Sequence, residues 1–138
     1  MDTSVLVALI VPEPHSAAVA RWYGRSRARL VSTVWCVSEF ASALGIKQRT
    51  GQLGVAQAQA AWQQFLRLAT HDLALLPLAA PDFHRAALLS LDAASGLRAG
   101  DALHLAGAEY AGAKTMATLD AVLGRNAQRL KIRLVAFS

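Results

Sequence analysis

Four of the nine acidic residues in this chain share one context. Asp2 precedes the apolar segment TSVLVALIV, Glu39 lies in the first turns of a helix after LVST, Asp101 opens the helix in LRAGDALHLAGAEYAG, and Asp120 follows TMATL and opens another. Singly, each has an ordinary explanation. Aspartate is a favoured helix cap, glutamate is a good helix former on a solvated face, and position 2 can belong to a frayed terminus. Together they suggest chemistry, because carboxylates converging on one cleft repel and must take up protons or hold a cation. His15, His71, His84 and His104 show no paired ligand spacing, and Cys36 is alone, which argues against zinc. An all-oxygen set favours Mg²⁺ or Mn²⁺. Such an ion activates water and neutralises charge on a phosphodiester during in-line displacement.

The elements that must position these acids are short strands alternating with amphipathic helices. Val55, Ala58, Gln59, Trp62, Phe65, Leu66 and Ala69 fall at helical spacing behind Gly51 and Gly54, predicting a helix over 55–70. Others are predicted over about 34–50 and over 15–29, the latter opened by the Pro12–Pro14 turn. The runs LVST at 30–33, LALLPL at 73–78, TMATL at 115–119 and IRLVAF at 132–137 read as strands. A helix from Asp101 to about Gly112 travels ~16 Å, and a strand from Lys114 to Leu119 returns about as far. Asp101 and Asp120 therefore meet at one sheet edge. Glu39, just after a strand, belongs to that edge, the carboxyl end of parallel strands where open α/β folds bind ligands, and Asp2 is expected there too.

Length and composition bound the rest. At 138 residues the chain is expected to form one domain, residues 1–138, with a single core. It is 54% hydrophobic and only 17% charged, so some apolar surface is expected to face a partner. Basic residues exceed acidic ones by 14 to 9 and cluster at Arg21, Arg25, Arg27 and Arg29 and again at Arg125, Arg129, Lys131 and Arg133. A polyanion suits such clusters, although a solvated basic face would look the same. The lone cysteine fits a reducing compartment, and the run Val5 to Val11 is too short for a membrane span. A soluble, cytoplasmic protein is expected.

DTSVLVAL at 2–9, SEF at 38–40, LRAGDALHLA at 97–106 and ATLDAVL at 117–123 together resemble the four motifs of PIN-domain proteins, especially VapC toxins of bacterial toxin–antitoxin pairs. The resemblance spans essentially the whole chain. It implies a three-layer α/β/α sandwich with a short, mostly parallel sheet. It also implies a Mg²⁺- or Mn²⁺-dependent endoribonuclease, an RNA substrate and a cognate antitoxin; a homodimer is expected as well. Carried over by position, Asp2 and Asp101 would be the principal metal ligands, with Glu39 and Asp120 completing the acidic cluster directly or through water. Ser4 and Thr118 match hydroxyl positions that orient carboxylates and waters. His104 reads as a hydrogen-bonded core residue and stays outside this site.

One feature departs from the family pattern. Its members usually carry several apolar residues as a first strand before the leading aspartate, whereas only Met1 precedes Asp2 here. Either the natural start lies further upstream or the first central strand is truncated; a truncated strand would loosen Asp2 and bring the terminal ammonium beside the metal. Competing readings are a PIN nuclease of RNA processing and a non-catalytic module that docks RNA or protein. GAEYAGAKT fails as a phosphate-binding loop, because Ala113 intervenes before Lys114 and a helix leads into a strand, the reverse of the required order. A dehalogenase-like phosphatase fails because Ser4 stands where its second aspartate would be.

Overall fold

The computed structural model describes residues 1–138. Helix α1 (Thr3–Ile10) begins where the Asp2 side chain accepts a hydrogen bond from the Val5 amide, and it buries Thr3, Val5, Leu6, Val7 and Ala8. There follow α2 (Ser16–Arg25), β1 (Leu30–Thr33), α3 (Trp35–Arg49), α4 (Val55–His71), β2 (Leu73–Leu76) and α5 (Ala80–Leu91). The chain closes with α6 (Ala99–Tyr110), β3 (Thr115–Met116), α7 (Ala121–Arg129) and β4 (Arg133–Leu134).

All strand pairing is parallel, and the strands pair two by two. Leu30 lies opposite Leu73 in β1 and β2, and Thr115 opposite Arg133 in β3 and β4. Parallel pairs need crossovers; α3 and α4 supply the first and α7 the second. Met1 and Asp2 join the two ladders, since the Met1 ammonium donates to Val31 O at 2.6 Å and the Asp2 amide to Ala117 O at 3.1 Å. The expected loosening of Asp2 does not occur. Its residue is only 3% exposed, and the ammonium is spent on a strand carbonyl.

Helices pack on both faces of the strands. Phe40 of α3 stacks on Phe65 of α4 at 4.5 Å between ring centroids, with Trp62 alongside, and this cluster takes Leu6, Val7, Leu73 and, from β1, Leu30. On the other face, Leu103, Leu105 and Ala106 of α6 pack with Met116, Leu123 and Ala127. Strand alternation turns Thr33 away from the Leu30 face and against Gly107 of α6.

Several boundaries differ from the sequence reading: α2 ends at Arg25 rather than near 29, and β2 at Leu76 rather than Leu78. β3 covers only Thr115 and Met116, and beyond it Ala117 O accepts the Asp2 amide and the Thr118 hydroxyl bonds the Asp2 carboxylate. α6 starts at Ala99 rather than Asp101 and ends at Tyr110, before Gly112 turns left-handed at φ +63. β4 covers only Arg133 and Leu134 of the expected run. α5 was not anticipated at all. Its start has no side-chain cap from Ala79, and Asp82 instead reaches back to accept the Ala79 amide at 2.8 Å.

Gly107 lets α6 approach β1. A Cβ there would overlap Thr33 Cγ2, which sits on a β-branched side chain that cannot swing away. Overpacking of this kind costs about 1–3 kcal/mol, more than the ~1 kcal/mol that alanine gains over glycine in a helix. Gly107→Ala is therefore expected to lower the melting temperature, and adding Thr33→Ser, which removes the offending methyl, is expected to recover part of the loss. Thermal denaturation of the single and double variants checks both.

Candidate functional site

The four acids and their supporting hydroxyls form a closed circuit of neighbours at the carboxyl end of the strands. Asp2 caps α1, with Oδ1 accepting from Ser4 Oγ at 2.7 Å and Oδ2 from Thr118 Oγ1 at 2.6 Å. Ser4 Oγ in turn accepts the Leu119 amide, and Thr118 Oγ1 the Asp120 amide, both at 3.0 Å. Ser4 and Thr118 thus clamp Asp2 to the turn that carries Asp120. Asp120 caps α7 through the Leu123 amide at 2.8 Å.

Arg98 carries the circuit onward. It lies 3.4 Å from Asp101 and 3.9 Å from Asp120, its own side chain 82% exposed. Asp101 sits in the first turn of α6 without capping it. One residue earlier, Gly100 presses its backbone against Glu39; a Cβ there would stand 2.8 Å from Glu39 Oε2 and 3.0 Å from Trp35 Nε1. Glu39 Oε1 accepts from Thr3 Oγ1 at 2.7 Å and from His104 Nε2 at 2.5 Å, and Thr3 adjoins Asp2.

These surroundings set the charges. Burial raises the Asp101 carboxyl above the usual aspartate range, and the nearby Asp120 raises it further; Arg98 opposes both, while Glu39 adds to the rise. Burial also pushes Glu39 upward, but the hydrogen bonds from His104 and Thr3 outweigh it and hold that carboxyl below the ordinary glutamate value. Asp101 and Asp120 therefore repel, and the repulsion is partly relieved by an exposed guanidinium.

For a hard divalent cation the chemistry of the donors is suitable, being oxygen throughout and partly desolvated. The arrangement is more open than the sequence reading assumed. No three acidic, histidine or cysteine side chains converge as a metal-binding group, and Arg98 stands between two of the acids as an internal counter-ion.

Sequence reasoning left three contributors outside the site. His104 is a core residue, 4% exposed, yet it also grips Glu39 and meets Thr33 Oγ1 through Nδ1 at 3.3 Å. Thr3 bonds Glu39 directly, and Trp35 Nε1 is buried beside that carboxylate without completing a hydrogen bond. The usable signal was the placement of Thr3 next to Asp2 and of His104 three residues after Asp101, one turn along the same helix. Three members of the basic clusters, by contrast, lie away from the acids. Arg29 precedes β1, Lys131 and Arg133 enter β4, and all are exposed at the amino end of the strands.

A family profile described as PIN domain matches residues 1–128. Among solved structures, Mycobacterium tuberculosis VapC20, described as a toxin cleaving the sarcin–ricin loop, superposes with a TM-score of 0.73. Its sequence is 16% identical, and the match covers 91% of this chain and 92% of that one. No curated protein matches.

Asp101 allows a test of the site's electrostatics. A carboxyl whose pKa is raised on folding destabilises the folded state once ionised; the cost is complete above the folded pKa and vanishes below the unfolded value of about 3.9. Asp101→Asn is therefore expected to raise the melting temperature at pH 7, with the gain shrinking as pH falls towards ~3. Differential scanning calorimetry across that range checks the sign.

Proposed function

The chain belongs to the PIN domain family, and from that premise we propose that it is an endoribonuclease dependent on Mg²⁺ or Mn²⁺ and the toxin of a toxin–antitoxin pair. The observation that carries this reading is geometric: Asp101 and Asp120 both lie within 4 Å of the one Arg98 guanidinium, and Asp2 is clamped by Ser4 and Thr118 to the turn that carries Asp120, a crowding of carboxylates that a hard cation would relieve.

In this reading Asp2 and Asp101 would hold the ion, with Glu39 and Asp120 acting directly or through water. When bound, the ion supplies a nucleophilic water at neutral pH and neutralises charge on the phosphodiester. The protein's own part is positioning. Ser4 and Thr118 fix both oxygens of Asp2, and His104 with Thr3 keeps Glu39 ionised and aimed. Arg98, long and exposed, is placed to leave the acids for a phosphate of the substrate. RNA long enough to reach from the acids to Arg29 and Arg133 would engage the basic end as well.

A homodimer and a cognate antitoxin belong to the same reading. Leu88 and Leu91 on α5 are 64% and 80% exposed and Tyr110 is 77% exposed, apolar surface suited to a protein partner. No helix is long and apolar enough to cross a membrane.

The second reading, a non-catalytic RNA-docking module, is favoured by the counter-ion role of Arg98 and by the open arrangement of the acids. Incubation with RNA under Mg²⁺, Mn²⁺ or EDTA separates the two. Cleavage is expected with either ion, none with EDTA, and a loss of at least about a hundredfold in Asp101→Asn. Retention of RNA without cutting under every condition would establish the module instead. Growth arrest on expression, relieved by a small co-expressed partner, is expected of a toxin; unimpaired growth alongside cleavage in vitro would mark a processing nuclease.

A further inference from the structure

Helix α7 runs back from the acids, and its exposed side is basic. It begins at Asp120, whose carboxylate lies 3.9 Å from the Arg98 guanidinium. Leu123, Gly124, Asn126 and Ala127 are buried, while Ala121, Arg125, Gln128 and Arg129 are exposed. At 3.6 residues per turn those four exposed positions share one stripe. Arg125 stands about 7.5 Å along the helix axis from Asp120, and Arg129 about 6 Å further.

The packing of α7 fixes where this stripe points. Asn126 Nδ2 donates to Ser95 O at 2.8 Å and to Val122 O at 2.9 Å. Gly124 brings the helix down on β4, where a Cβ would stand 3.1 Å from Leu134 Cδ1. Neither Arg125 nor Arg129 forms an ion pair, whereas Arg85 is taken by Glu109 and Lys47 by Glu13. The segment that receives Asn126 carries one acid, Asp92, and its Oδ1 accepts the Ala94 amide. Arg129 lies in the last turn, where a cation complements the helix dipole. Arg125, in mid-helix, has no such internal role.

We propose that one strand of RNA leaves the acids along this stripe, its phosphates held by Arg98, Arg125 and Arg129. The proposal rests on the RNA reading of the acids and assigns the path of the substrate beyond them. Spacing and charge favour it. The three guanidinium groups follow one another from the acids along a single helix face, and Ala121, small and exposed, leaves a backbone room to pass between Arg98 and Arg125. Arginine suits phosphate because its paired N–H donors match two oxygens at once. The stripe carries no aromatic side chain, so bases find no stacking platform there. Contacts of this kind hold the backbone and position the strand without reading its sequence.

The test measures binding in EDTA, by fluorescence anisotropy of a labelled 12-nucleotide oligouridine between about 50 and 200 mM salt. On a single strand each phosphate contact adds about 0.7 to the slope of log affinity against log salt. Replacing both arginines, Arg125→Ala with Arg129→Ala, is expected to reduce that slope by about 1.4 and to weaken binding at least tenfold at about 0.1 M salt. Arg125→Lys with Arg129→Lys, which keeps both charges, is expected to retain the parent slope. Arg49→Ala with Arg67→Ala removes the same charge from α3 and α4 and is expected to change the slope by less than about 0.5. No RNA binding by the parent, an unchanged slope in the α7 alanine pair, an equal fall in the α3 and α4 pair, or a lysine pair that behaves like alanine overturns the proposal. Because no divalent ion is present, the outcome is separate from cleavage. Cleavage under Mg²⁺ with an unchanged slope removes this path and leaves the nuclease; a reduced slope without cleavage keeps the path and removes the nuclease.

Discussion

Asp101 and Asp120 are held near each other, partly out of water, with Glu39 close behind, and much of the local structure can be understood as what keeps them there. The parallel crossovers bring the ends of β1 and β3 to one edge, and four helices, α1, α3, α6 and α7, begin at or near that edge. Helix starts favour negative charge, because unpaired amides and the helix dipole meet it there. Asp2 and Asp120 use that stabilisation directly as caps. Asp101 does not cap its helix, and its carboxyl carries the strain.

A ring of small polar and close-packed residues maintains this arrangement. Ser4 and Thr118 occupy both oxygens of Asp2 and then accept the amides that follow, so that one hydroxyl both orients an acid and fixes a turn. Gly100 and Gly107 lie seven residues apart on α6, about two turns, and each permits a close approach, one to Glu39 and the other to Thr33. His104 lies between them in sequence, tying Glu39 to Thr33 and thereby the site to β1. Repacking that helix would disturb both strand packing and the aim of Glu39.

Much of this was legible in the sequence because it depends on local signals. LVST, a β-branched run between helical patterns, is the strand Leu30–Thr33, and the aromatic spacing of 55–70 is the helix Val55–His71. The placement of Asp2 and Asp120 at helix starts follows from their preference for caps. What was not legible depends on tertiary contacts. The residues after β3 bond to Asp2, more than a hundred residues away in sequence. α5 lacks a polar cap residue and begins on a reach-back from Asp82. The counter-ion role of Arg98 and the grip of His104 on Glu39 need the folded distances. The basic clusters looked like companions of the acids in composition, whereas the strand directions place Arg29 and Arg133 at the other end.

The central claim is that the crowded carboxylates are relieved by a hard divalent ion. NMR titration of the Asp101 side-chain carboxyl, with and without Mg²⁺, tests it most directly. The account expects a midpoint above the ordinary aspartate value of about 3.9 that moves down when Mg²⁺ is added. An ordinary midpoint, indifferent to the ion, would contradict it.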